Sequence, residues 1–188
     1  MPQLHRNSQK RFYGPDKIYF IVTKTHKNYP YFKEPIFCDL FLEELKLGRQ
    51  LKRFKLYGFC LVYDHLNLLI EPGEKYNISQ VMKSLKENVS RDINYIMANR
   101  CYEGDTSTCR LPLRSLIAKL QKQFMERYGE HRYAGPRFKW QKSFYDHVIR
   151  DEKDFANHYT YTVDNYAKHN LPEDWLYTSS NFEDLVDY

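Results

Sequence analysis

Two extended runs laid end to end, Lys55 to Tyr63 and His65 to Glu71, constrain this chain most. The short join around Asp64 suits an antiparallel hairpin or one strand with a bulge, and Pro72 and Gly73 stop the second run. In that second run the period of two sends Leu66, Leu68 and Ile70 to one face and His65 and Asn67 to the other. One face therefore buries, and the other holds an imidazole beside an amide.

The flanking segments fit around such a sheet. Lys17 to Thr25 is β-branched and aromatic, which favours a strand buried on both faces. Helical spacing of apolar residues recurs from Ile36 to Arg53 and again to about Asn99, where Asn77 caps the helix and Gln80 reaches back. Cys101 to Leu113 reads as a polar connection, Arg114 to Tyr128 as a helix ended by Gly129, and Phe138 to Ile149 as extended. Asp151 caps a last helix running to about His169. The expected fold is α+β, a ferredoxin-like antiparallel sheet with helices packed on one face plus a C-terminal helix. Residues 1–16 read as a basic arm, 17–171 as one domain and 172–188 as a mildly acidic tail.

Lys and Arg total 29 against 24 acidic residues, and aromatic residues make up 16% of the chain. That combination suits single-stranded nucleic acid, where cations follow phosphates and rings stack on bases. The four cysteines show no close pairing and read as reduced cytoplasmic thiols. No apolar run reaches the roughly 20 residues of a membrane helix.

The last helix supplies the chemistry. At about 100° per residue, Phe155, Tyr159, Thr162, Val163 and Tyr166 form the stripe expected to bury. Tyr161 instead shares a second face with Asp154, His158, Asn165 and Lys168. If this helix crosses the polar strand face, Asn165 adds an oxygen to His65 and Asn67 around a hard divalent cation. Tyr161 then aims its phenol at whatever that cation holds. His158, one turn before Tyr161, or a water would take the phenol proton. Tyr145, beside His147 and Arg150, is a rival nucleophile. Lys83, Lys86 and Arg91 lie off the apolar stripe of their helix, as phosphate contacts or as an ordinary solvated face. Trp140 closes the core beneath the last helix or stacks on a base.

The stretches VYDHLNLLIEP, MKSLKENVSRDIN, WQKSFYDHVIRDEKDF and NHYTYTVDNYAKHNL resemble the REP-associated tyrosine transposases, a branch of the HUH single-tyrosine superfamily. The resemblance spans Lys17 to Leu171, with residues 100–133 as a variable insertion. It implies His65 as the first metal-ligating histidine, Tyr161 as the nucleophile and Asn165 as the helical ligand. The amide four residues after Tyr161 decides against Tyr145. The resemblance also implies Mg2+ or Mn2+ as cofactor, single-stranded or hairpin palindromic DNA as partner, and DNA contacts near Lys83, Lys86 and Arg91; Trp140 and Arg150 are further candidate nucleic-acid contacts. The active unit is a monomer or a homodimer. Asn67 departs from the family pattern, which has a second histidine there. The chain is then either a working strand transferase with a modified metal site or an impaired descendant that only binds DNA. A metal-dependent nuclease, with no covalent adduct, is the third reading.

Overall fold

The computed structural model describes residues 14, 16–98, 111–129 and 133–187; the arm before Gly14 and stretches at both ends of the expected insertion, 99–110 and 130–132, lie outside the described residues. The order is β1 (Tyr19–Lys24), α1 (Pro35–Lys52), β2 (Lys55–Val62), β3 (His65–Glu71), α2 (Ile78–Ala98), α3 (Leu111–Tyr128), β4 (Tyr145–Val148), α4 (Glu152–Val163) and α5 (Asn165–Lys168). The four strands form one antiparallel sheet in the order β2-β3-β1-β4, the ferredoxin-like arrangement.

Val62 pairs with His65, so Tyr63 and Asp64 turn a hairpin. The bulge signal has its own place: the β2–β3 register shifts between Leu56 and Gly58. One face of the sheet presents Tyr19, Ile21, Leu66, Leu68 and Ile70 to α1 and α2, and all five are buried. α3 packs outside, where Phe37 stacks on Phe124 with ring centroids 5.5 Å apart. Truncating a fully buried ring such as Phe37 to alanine would cost about 3–5 kcal/mol.

The helix ends follow local chemistry. Asn77 and Gln80 exchange side-chain-to-backbone bonds of 3.0 and 2.9 Å, the reciprocal box expected from their spacing. Glu34 caps α1, and its buried carboxylate also accepts from Arg127 and Tyr128, tying α3 to that cap. Gly73, where the chain leaves β3, passes so close to α1 that a Cβ there would lie 2.3 Å from the Arg53 carbonyl oxygen. Only glycine fits that crossing.

Three segments differ from their sequence reading. Of Phe138 to Ile149, only Tyr145–Val148 forms a strand, with Trp140 making an isolated bridge to Thr25. The last helix does not run unbroken to His169 but breaks at Asp164 (φ −91°, ψ 10°), so α5 starts with a new phase. The C-terminal segment is built into the domain: Trp175 Nε1 donates to Leu61 O at 2.8 Å, and Asp187 accepts from Leu56 N at 2.8 Å. Among the described residues no helix is long and apolar enough to cross a membrane.

Candidate active site

Strand pairing sets the second face of the sheet. Val22 lies opposite Asn67 and Lys24 opposite His65 on β1, while Cys60 and Val62 oppose the same two residues on β2. α4 crosses this face over Gly58, where an added Cβ would sit 3.7 Å from Thr162 and Tyr159 side-chain atoms. A buried bond from Thr178 Oγ1 to Val163 O, 2.8 Å, fixes the end of α4. α5 then drops Asn165 into the sheet, fully buried, while Tyr161 stays 41% exposed. An unbroken helix would have kept these two residues on one face. The break at Asp164 separates them.

His65 sits between two acceptors. Its Nδ1 is 2.7 Å from Asp64 Oδ1, and its Nε2 is 3.0 Å from Asn165 Oδ1. With the Nδ1 proton donated to Asp64, Nε2 and Oδ1 face each other as lone pairs and need a proton or a cation to reconcile them. Turned over, the Asn165 amide would donate to Nε2 instead. Donor atoms on adjacent corners of an octahedron with bonds of about 2.1 Å lie about 3 Å apart, the spacing of this pair. Asn67, two residues along β3, is 1% exposed, and among the described residues neither its Oδ1 nor its Nδ2 has a hydrogen-bond partner. An orphaned buried amide beside a converging nitrogen and oxygen fits a divalent cation. The His169 ring meets His65 edge-on at 4.6 Å, and burial, followed by the neighbouring His65, holds the His169 imidazole below its ordinary pKa.

Tyr161 projects from α4 onto Phe20 of β1, on the sheet face that carries His65 and Asn67. Its ring packs edge-on against Phe20 at 5.6 Å, and the Lys168 ammonium lies 3.5 Å from its centroid. Phe20 also meets the Tyr145 ring at 6.4 Å, so both tyrosines flank one phenylalanine on the same sheet face. His158 Nδ1 is engaged by the Asp154 backbone oxygen at 2.9 Å and its carboxylate at 3.1 Å. The hydrogen bond from His147 holds the Asp154 carboxyl below its usual range.

A groove of about 770 Å³ runs between α2 and residues 137–144. Lys83, Lys86, Arg91, Arg137, Lys139 and Lys142 line it, giving a basic wall. Lys83 is one of its outward cations, with a 74% exposed side chain. Lys86 donates to Gln141 O at 2.7 Å, and Arg91 forks onto the buried Asp92 at 2.7 and 3.0 Å, so these two also brace the groove. Trp140 forms its floor, 9% exposed and packed on Phe32 and Phe138; packing accounts for most of its surface. Arg150 stands apart beside Asp154, 76% exposed.

Residues 17–105 match the family model of IS200-like transposases. A Haemophilus influenzae protein described as "Putative REP-associated tyrosine transposase" is 33% identical over 129 residues, which cover 67% of this chain and 58% of that protein. The chain belongs to the family of the REP-associated tyrosine transposases. A solved REP-associated tyrosine transposase bound to a REP hairpin shares its fold, with a TM-score of 0.58 over 90% of this chain and 80% of that one at 16% identity. Membership is consistent with DNA transposition. The chain spans less than two thirds of the length of the Haemophilus relative.

In this chain the structure brings His65 and Asn165 into contact, with Asn67 two residues along the same strand and Tyr161 on the preceding helix α4. It also adds residues that pattern reading missed. Asp64 should alternate away from His65, but it lies in the turn and folds back onto Nδ1. His169 follows α5 and packs against the site, whereas the sequence places it only at the end of a helix. Asn67→His would place a second imidazole at the candidate cation site. Its affinity for Mn2+ should rise on the order of tenfold, about 1.4 kcal/mol, in competition with a metallochromic indicator. Unchanged affinity would mean that residue 67 does not reach the ion.

Proposed function

We propose that the chain cuts and rejoins single-stranded or hairpin DNA through a covalent 5′-phosphotyrosine formed on Tyr161. The observation that carries this reading is the convergence of His65 Nε2 and Asn165 Oδ1 at 3.0 Å beside an unpartnered Asn67 amide, under the helix that presents Tyr161. His65, Asn165 and Asn67 would hold Mg2+ or Mn2+, which when bound supplies positive charge to polarise the scissile phosphate.

Tyr161 Oη attacks the phosphorus as the bond to the 3′ oxygen breaks, leaving a phosphotyrosine and a free 3′-hydroxyl that can later reverse the step. Lys168, over the Tyr161 ring, places positive charge beside the attacking group. Because the phenol side chain is exposed and His158 Nδ1 is engaged by Asp154, the phenol proton passes to water, and solvent protonates the leaving 3′ oxygen. The bond energy stays in the phosphotyrosine, so no ATP is required.

The groove along α2 would guide the strand by its phosphates. Lys83→Gln should weaken hairpin binding and lower the slope of log affinity against log salt by about 0.7, read by fluorescence anisotropy across a salt series. No change in slope would remove Lys83 from the DNA path.

The testing experiment incubates the protein with hairpin oligonucleotides and Mg2+ or Mn2+, then seeks a covalent adduct on a denaturing gel. An adduct that needs the ion supports strand transfer. Cleavage without an adduct supports a nuclease, and binding without cleavage supports a DNA-binding descendant in which Asn67 has disabled the site.

A further inference from the structure

Strand β4 and helix α4 meet at a second cluster, outside the centre formed by His65, Asn67 and Asn165. His147 from β4 and Asp154 and His158 from α4 place one ligand-type atom each within 4.8 Å of one another, the one such group of His, Cys, Asp and Glu among the described residues. The Asp154 carboxylate lies between the two imidazoles, with Oδ2 2.8 Å from His147 Nε2 and Oδ1 3.1 Å from His158 Nδ1. The two rings are nearly parallel, 4.5 Å apart and 16° from coplanar. Their side chains are 16%, 19% and 24% exposed for His147, Asp154 and His158, which leaves access for water to complete a coordination shell.

We propose that His147, Asp154 and His158 form a second metal centre, selective for a borderline transition ion of the Zn2+ or Co2+ kind. Two imidazole nitrogens and one carboxylate oxygen favour such ions over Mg2+, which prefers an all-oxygen shell. Separations of 2.8 and 3.1 Å already approximate neighbouring donors around an ion with bonds of about 2.1 Å. Ligation through His158 Nδ1 replaces its 2.9 Å contact with the Asp154 backbone oxygen, and the proton on that nitrogen leaves to solvent. The Arg150 backbone N–H, 3.0 Å from Asp154 Oδ2, orients the carboxylate from outside. The Arg150 guanidinium is 3.9 Å from the same oxygen on a 76% exposed side chain, free to swing toward solvent.

The ion would fasten the first half of α4 to β4, a four-residue edge strand that joins the sheet through β1 alone. His158 is one helical turn before Tyr161, so this clamp fixes the segment that presents the phenol. The centre stands independently of the nucleophile assignment, because none of its ligands is a ligand of the first centre.

The test uses tag-free, full-length protein carrying His65→Ala, which removes the first centre. Co2+ titration followed by visible absorption should show one bound ion per chain, displaced by Zn2+ and not by Mg2+. Adding His147→Gln, Asp154→Asn or His158→Gln should each weaken Co2+ binding by at least roughly 100-fold, beyond the ten- to hundredfold range of outer-shell changes. Melting curves in EDTA establish that each variant folds. As a measurement needing no further substitution, Zn2+ should shift the imidazole nitrogen resonances of His147 and His158 while leaving His26 in place. No Co2+ binding in the His65→Ala protein, binding indifferent to all three substitutions, or Zn2+ shifts confined to other histidines would each overturn the proposal.

Discussion

Tyr161→Phe abolishes the covalent protein–DNA adduct while hairpin affinity stays within about twofold, because one oxygen is lost and the ring remains. Tyr161 is 41% exposed, and its ring contacts are edge-on packing against Phe20 and the Lys168 ammonium. Phenylalanine keeps both contacts, so the fold and the position of α4 should be unchanged. The loss should therefore appear in adduct yield on a denaturing gel and not in the melting temperature. Full adduct yield from this variant would move the nucleophile elsewhere, with Tyr145 the first alternative since its ring also packs against Phe20.

Asn165→Ala has the second large effect, and it acts in two ways. The fully buried amide is the partner of His65 Nε2, so its removal leaves a buried imidazole nitrogen unpaired at a cost of about 1–3 kcal/mol. It also deletes one donor of the proposed cation site, and metal-dependent adduct formation should fall by at least about 100-fold. Thermal melts read the first effect, and adduct yield against Mg2+ or Mn2+ concentration reads the second. Asn165→Asp keeps an oxygen at the same place and should recover most of the activity. Activity equal to the parent in Asn165→Ala would exclude this side chain from the centre.

Patterns with a short period were legible in the sequence. The alternation in β3 placed His65 and Asn67 together on one face, and the cap signals at Asn77 and Gln80 located the start of α2. Long-range returns of the chain were not. Residues 172–188 read as a tail because their composition is polar, yet Trp175 and Asp187 close onto β2 through contacts spanning more than a hundred residues. Uniform helical phase likewise put Asn165 and Tyr161 side by side, whereas the break at Asp164 buries one and exposes the other. Of the stripe that helical spacing selected for burial, Thr162 and Val163 are buried while Tyr159 stays 37% exposed, because α4 crosses the sheet over Gly58 near its C-terminal end. Asp154 illustrates a different limit: capping chemistry marked Asp151 as the helix start, while the pairing of Asp154 with His147 depends on where β4 docks.

The most direct test of the tyrosine mechanism is peptide mapping of the adduct. A hairpin oligonucleotide is trapped on the protein, the DNA is digested to a short remnant, and mass spectrometry locates the modified tyrosine. The expected result is a nucleotide remnant on the peptide containing Tyr161 alone. A remnant on Tyr145, or a cleaved hairpin with no modified tyrosine, would contradict the account.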